Sequence, residues 1–237
     1  MGLAIVADAS GPRYGGCHAP FGIDPALDAF VRTFLAGGLR PGLEAADHHL
    51  RGLASAFDLE LERVKQSERN PLSASAKTAD LVRPAHWRHL RGRSLAHFAA
   101  SVTACAFAGN TLTLVQAGAC RAWRRRDAAI ELLLNDHTLQ SVMLARGEAD
   151  VSAPHLRDVC TSSLGVGPLT IDETSCSVSA GDRVLLCTPG VWTHDDGTQL
   201  VHTLFDAEGE AFEALLRSAA SHWRVDATAL LLAFSEA

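Results

Sequence analysis

Asp8 closes a short apolar run, Leu3 to Ala7, and stands before a loop that carries Gly11, Gly15 and Gly16. Other oxygen and nitrogen donors come late in the chain, in Trp192-Thr193-His194-Asp195-Asp196-Gly197 and at Asp226. His194, Asp195 and Asp196 are ligand types, and an exposed turn followed by a helix cap is the commoner explanation of such a segment. His48 and His49 are neighbours on a helical pattern, so they face different ways and do not share a cation as an i, i+4 pair would. No Ser-His-Asp or Cys-His nucleophile arrangement emerges from the spacing.

The six cysteines, at 17, 105, 120, 160, 176 and 187, include no close pair of the zinc or redox type, and read as reduced core or half-buried thiols. Arg83 to Arg93 is the concentrated basic segment of a chain whose formal net charge is −6. It reads as a solvated face or as a docking surface for an acidic or phosphorylated protein, with Trp87 as anchor and Arg88 and Arg91 beside it. The acidic balance argues against a nucleic-acid partner. No run approaches the length of a membrane span and the N-terminus lacks a signal-peptide pattern, so a cytoplasmic protein is expected.

The elements that would position these residues follow from periodicity. At 237 residues, 47% apolar and 20% charged, the chain suits one domain with a sizeable core. Leu3 to Ala7 predicts a buried strand. Leu27, Phe30, Val31, Phe34 and Leu35 predict a helix that opens near Pro25 and stops at Gly37-Gly38, and Leu43 to Val64 predicts a second, longer one. Ser67 to Lys77 reads as a loop. Ser101 to Phe107, Thr111 to Gln116, Arg121 to Arg125 and Ile130 to Leu134 read as an antiparallel meander with a tight turn at Ala108-Gly109-Asn110. Arg121, Arg124, Arg125 and Arg126 suit an edge strand. Thr138 to Arg146 and Ala211 to His222 predict helices, and Asp182 to Cys187 and Ala227 to Phe234 predict strands. Gly165-Val166-Gly167-Pro168 is a tight turn, too short for a nucleotide loop.

Four segments in order resemble the bacterial type-2C (PPM) metal-dependent serine/threonine protein phosphatases. Ala4 to Gly11 followed by Gly15-Gly16 resembles the family's strand ending in Asp-Gly-x-Gly-Gly. Leu114 to Trp123 is similar to Val-Gly-Asp-Ser-Arg-Ala-Tyr, and Asn135-Asp136-His137-Thr138-Leu139 follows where the family has Asp-His-Ser-Leu. Ser163 to Gly167 and Ala180 to Gly190 look like Leu-Gly plus Gly-Asp-x-x-Leu-Leu-Cys-Ser-Asp-Gly, and Val225-Asp226-Ala227-Thr228 resembles Asp-Asn-Ala-Thr. The resemblance implies an α+β fold, a four-layer α-β-β-α sandwich of two antiparallel sheets flanked by helices. It also implies a single domain over 1–237 that lacks the family's usual first strand.

In that family two divalent ions hold the water that attacks a phosphoserine or phosphothreonine. Carried onto this chain, the resemblance keeps Asp8, replaces the adjoining glycine with Ala9 and puts Pro189 at the aspartate of Ser-Asp-Gly. It sets Val225 at the last metal-binding aspartate, with Asp226 one place late, and puts Ala119 at the aspartate of Gly-Asp-Ser-Arg. Asp8 and Asp226 are the residual ligand candidates. The expectation is a degenerate member, a pseudophosphatase with no cofactor, acting as a regulatory binding module on a kinase, phosphoprotein or complex subunit. The alternative is an active, divergent phosphatase that holds manganese or magnesium ions with Asp8 and Asp195, Asp196 or Asp226.

Overall fold

The computed structural model describes residues 2–10, 23–69, 99–148, 156–157, 159–193, 197–223 and 226–235. Trp87, Arg88, Arg91, His194, Asp195, Asp196 and Val225 lie outside these, as do Cys17 and most of the loop expected from Ser67 to Lys77.

Strand β1 (Gly2–Ser10) leads to helices α1 (Ile23–Gly37) and α2 (Leu39–Arg69). Phe30, Phe34, Leu43, Ala46 and Leu50 form one buried stripe across the two helices, which is why these spacings fold as a pair. Gly38 makes the sharp turn between them. Its φ of +95° is a conformation that favours glycine, and its N–H caps α1 by donating to Phe34 O at 2.9 Å.

The meander follows as β2 (Ala99–Ala108), β3 (Thr111–Ala117), β4 (Arg121–Arg126) and β5 (Ala129–Leu132), and then the short α3 (Leu139–Ala145). After it come β6 (Asp172–Ser177), β7 (Arg183–Cys187), α4 (Pro189–Trp192), α5 (Gly197–Asp206), α6 (Gly209–Trp223) and β8 (Ala229–Ala233). One sheet has the order β1-β2-β3-β6 and the other β5-β4-β7-β8, with every pair antiparallel.

Three buried clusters make four layers. Val102, Ala104, Val115 and Ala117 of the first sheet pack under α1 and α2. Ala4, Val6, Leu112 and Leu114 meet Ala122, Val184 and Leu186 between the sheets. Leu185 and Cys187 on the far face of the second sheet pack against Val191, Trp192, Val201, Leu204 and Phe205. Strands whose alternate residues enter two different cores must be apolar on both faces, and the Val-Leu-Leu-Cys run of β7 is the clearest case.

Two differences from the sequence reading stand out. Strand β4 is interior, between β5 and β7, and its arginines are tolerated there because each meets an acid: Asp136, Glu131, Asp206 and Asp182 in turn. Strand β6 and helix α5 were not anticipated. The Asp-Glu-Thr-Ser-Cys-Ser sequence of β6 offers little apolar alternation, and it is held as a strand by six paired residues of β3. The five described cysteines are free thiols, and Cys105, Cys120 and Cys187 are fully buried.

Candidate functional site

Asp8, the end of β7 and the start of β8 all converge on one end of the sandwich. Asp8 is half-buried near the end of β1, opposite Ser101 of β2. The Ser101 hydroxyl accepts from Ala119 N at 3.0 Å and its carbonyl accepts from the Cys120 thiol at 3.3 Å. Gly118 permits this contact: its φ is +99°, and a Cβ there would lie 2.3 Å from Ser101 Oγ. The chain therefore crosses from one sheet to the other directly beneath Asp8.

The second wall is a clasp between β7 and β8. Thr188 N donates to Thr228 O at 2.9 Å, and Thr228 N donates to Thr188 Oγ1 at 2.9 Å. Pro189 follows as the first residue of α4, where the missing N–H and fixed φ of proline suit a helix start. Asp226 is exposed, two residues before Thr228.

Behind the clasp, Arg121 donates to Asp136 Oδ1 through Nε at 2.8 Å and Nη2 at 2.5 Å. Its guanidinium also lies 3.3 Å from the centroid of the Trp192 ring, and Trp192 Nε1 donates to Ala119 O at 3.1 Å. Burial lowers the Arg121 pKa, and the Asp136 carboxylate opposes that shift. Thr138 Oγ1 donates to Asp136 Oδ2 at 2.6 Å, which completes the carboxylate. Gly118 N donates to His137 Nδ1 at 3.2 Å, so the ring proton sits on Nε2, facing Asp172 Oδ2 at 3.1 Å. On the outer side Arg157 Nη1 donates to Thr193 O at 3.3 Å.

The thiols of Cys120, Cys187 and Cys160 also lie at this end. Burial raises the pKa of Cys120 well above its ordinary value, and the nearby charge of Asp8 and the thiols of Cys187 and Cys160 add to the shift. Burial likewise pushes Cys187 up to about 12 and raises Cys160. These thiols are protonated, and a protonated thiol is a poor metal ligand and a poor nucleophile.

Among the described residues, the donor set at this end does not fit a pair of divalent cations. Asp8 and Asp226 are the carboxylates that the described residues bring there from the expected ligand positions, Pro189 contributes no side-chain ligand, and Ala119 is packed into the core at 6% exposure. Among the described residues no group of three or more His, Cys, Asp or Glu is arranged to hold a metal ion.

Several residues of this end carried no sequence signal. Ser101, Thr188 and Thr228 are ordinary strand and turn residues whose roles come from pairing across 18 to 40 positions. Trp192 was legible as a large aromatic beside the altered motif, and Asp136 as part of Asp-His-Thr-Leu.

No family model and no curated protein matches the sequence, but solved structures match the fold. PppA, described as a key regulatory component of T6SS in Pseudomonas aeruginosa, superposes with a TM-score of 0.63 at 20% identity, covering 98% of this chain and 86% of that one. The Mycobacterium tuberculosis serine/threonine phosphatase PstP/Ppp gives 0.64 at 18% identity, covering 99% and 98%. The PPM Ser-Thr phosphatase MsPP from Mycobacterium smegmatis gives 0.63 at 18%, covering 100% and 99%. The fold is that of the PPM protein phosphatases. The expected α-β-β-α sandwich is therefore correct. A PstP catalytic domain of the same fold is described in complex with two manganese ions. Among the described residues no helix is long and apolar enough to cross a membrane.

Proposed function

We propose that this chain is a catalytically impaired type-2C phosphatase-like protein, a pseudophosphatase of one domain, that acts in the cytoplasm as a regulatory binding module. The observation that carries this reading is Pro189. It heads a helix at the end of β7, where the resemblance implies a metal-binding aspartate, and beneath it lie neutral, buried thiols. Two metal ions without carboxylates to offset their charge do not stay bound. The packing that supports the site is meanwhile complete, as the Thr188–Thr228 clasp and the Arg121–Asp136 pair illustrate.

The partner in this reading is a protein: a kinase, a phosphoprotein or a subunit of a larger complex. That the PppA fold serves a regulatory component of a secretion system supports the class of role. In the sequence Trp87 stands next to Arg88 and close to Arg91, and an aromatic residue with guanidinium groups suits an acidic or phosphorylated segment.

The test is hydrolysis of an aryl phosphate and of a phosphothreonine peptide, with manganese and with chelator, alongside Asp8→Ala. The expected result is no metal-dependent turnover and a flat calorimetric titration with manganese. Turnover that needs both manganese and Asp8 would overturn the reading, and would mean that Asp8 works with Asp195, Asp196 or Asp226 as a rebuilt site.

A further inference from the structure

The two lateral sides of the sandwich differ in chemistry. On one side lie the edge strands β6 and β5, which carry Asp172, Glu173 and Glu131, with Arg124 and Arg126 of β4 reaching across to Ser177 O. Charged residues of this kind are how natural sheets keep their edges from pairing. On the other side lie β1 and β8. Residues 2 to 7 of β1 are uncharged, β8 is Ala-Leu-Leu-Leu-Ala throughout, and neither contains proline. Their registers run without a bulge. Leu3, Ile5, Ala7, Leu230, Leu231 and Leu232 are left half-buried along these two edges. Among the described residues nothing pairs with the outer edge of either strand.

Each edge can also pair with itself about a central residue, β1 by complementary side-chain sizes and β8 by a symmetric sequence. In an antiparallel self-pair centred on Ile5, Leu3 faces the partner's Ala7 and Ala4 faces the partner's Val6, so large meets small on each face. Asp8 then faces the partner's Gly2 and no carboxylate meets another. β8 reads the same in both directions about Leu231. The two centres stand at one level. Gly2 is opposite Phe107, whose ring meets Phe234 edge-on with centroids 6.0 Å apart. Three residues into each strand from that contact, about 10 Å along, come Ile5 and Leu231. At the other end Asp8 and Cys187 both act on the Cys120 thiol, and Cys187 is the β7 partner of Ala229.

We propose that β1 and β8 form one interface for a second copy of this chain. A single two-fold axis, normal to the sheets and passing by Ile5 and Leu231, joins β1 to the partner's β1 and β8 to the partner's β8. Each four-stranded sheet becomes a continuous sheet of eight, and the half-buried leucines of both copies close over one another. The axis reverses strand direction, so the Asp8 ends of the two copies open at opposite ends of the assembly.

Sedimentation equilibrium of the full chain tests this, with a dimer expected at micromolar concentration. In the centred register Ala229 faces the partner's Ala233. The double variant Ala229→Glu/Ala233→Glu therefore sets like charges against each other at both ends of the β8 pair, and the dissociation constant should rise about tenfold. Ala229→Glu/Ala233→Lys sets opposite charges against each other and should restore association. Both variants place charge at the same two positions, so a defect of folding alone would affect them alike. A monomeric wild-type chain overturns the proposal, as do two double variants with equal dissociation constants.

Discussion

Arg121 and Asp136 meet where the guanidinium is 16% and the carboxylate 1% exposed, so each is the other's main compensation for lost water. Removing one partner from such a pair leaves an uncompensated charge, at a cost of about 3–5 kcal/mol, whereas replacing both with apolar groups of similar volume is much cheaper. Asp136→Leu alone should therefore lower the urea-unfolding free energy by that amount, and Arg121→Met/Asp136→Leu should recover most of the loss. A double variant as unstable as the sum of the two single ones would show that the pair does not act as a unit. From sequence, Asp136 was legible within Asp-His-Thr-Leu, but Arg121 read as an exposed edge residue. Its true environment depends on β7 and on Trp192, which come 60 to 70 positions later and leave no local trace. The same holds for Ser101. A serine in a strand has no periodic signature, yet here its hydroxyl and carbonyl organise the turn beneath Asp8.

Among the elements, α2 is tied to the turn at 163–167 by Asp47 and Arg51. Asp47 Oδ1 accepts from Gly165 N at 2.7 Å, and its Oδ2 accepts from Arg51 Nε at 2.6 Å. The bond to Gly165 is buried and involves a charge, while Arg51 is 40% exposed and contributes through a screened pair with Asp47 and a solvent-exposed bond from Nη2 to Gly167 O of the same turn. Asp47→Ala should therefore destabilise by about 2 kcal/mol, and Arg51→Ala by clearly less. Equal losses in thermal or urea unfolding would mean that Arg51, through Asp47 and Gly167, holds the turn as much as the Gly165 bond does. Elements with strong periodicity, such as α1, α2, β2, β3 and β7, were legible because each buries a continuous apolar face. Strand β6 and helix α5 were not: β6 is made a strand by β3, and α5 buries Val201, Leu204 and Phe205 in a stripe whose sequence follows closely on the polar His194-Asp195-Asp196. Pro189 was legible as a break in a motif, and the cysteines as core or half-buried thiols. That Cys120 and Cys187 lie close together at this end was not, because it follows from how the sheets stack.

For the molecule as a whole, that burial predicts an unusual dependence of stability on alkaline pH. The sequence holds six cysteines but only two lysines, Lys65 and Lys77, and one tyrosine, Tyr14, so thiols dominate titration just above pH 9. In the folded state burial holds Cys105 up to about 11 and Cys187 up to about 12, with Cys120 also raised. In the unfolded chain these thiols ionise near the ordinary value. A group protonated in the native state but ionised in the unfolded one means that unfolding releases a proton, so stability falls as pH rises through that window. Each such thiol contributes a slope of about 1.4 kcal/mol per pH unit between its unfolded and folded pKa. Urea unfolding at a series of pH values from 8 to about 10 should show this steepening. Cys187→Ala should flatten the slope by about one proton, even though the lost sulfur lowers its stability at pH 8, so the gap between the two proteins should narrow as the pH rises. Parallel curves for the two proteins would mean that Cys187 is not held neutral by burial, and the view of this end of the fold as a core of inert thiols would fall with it.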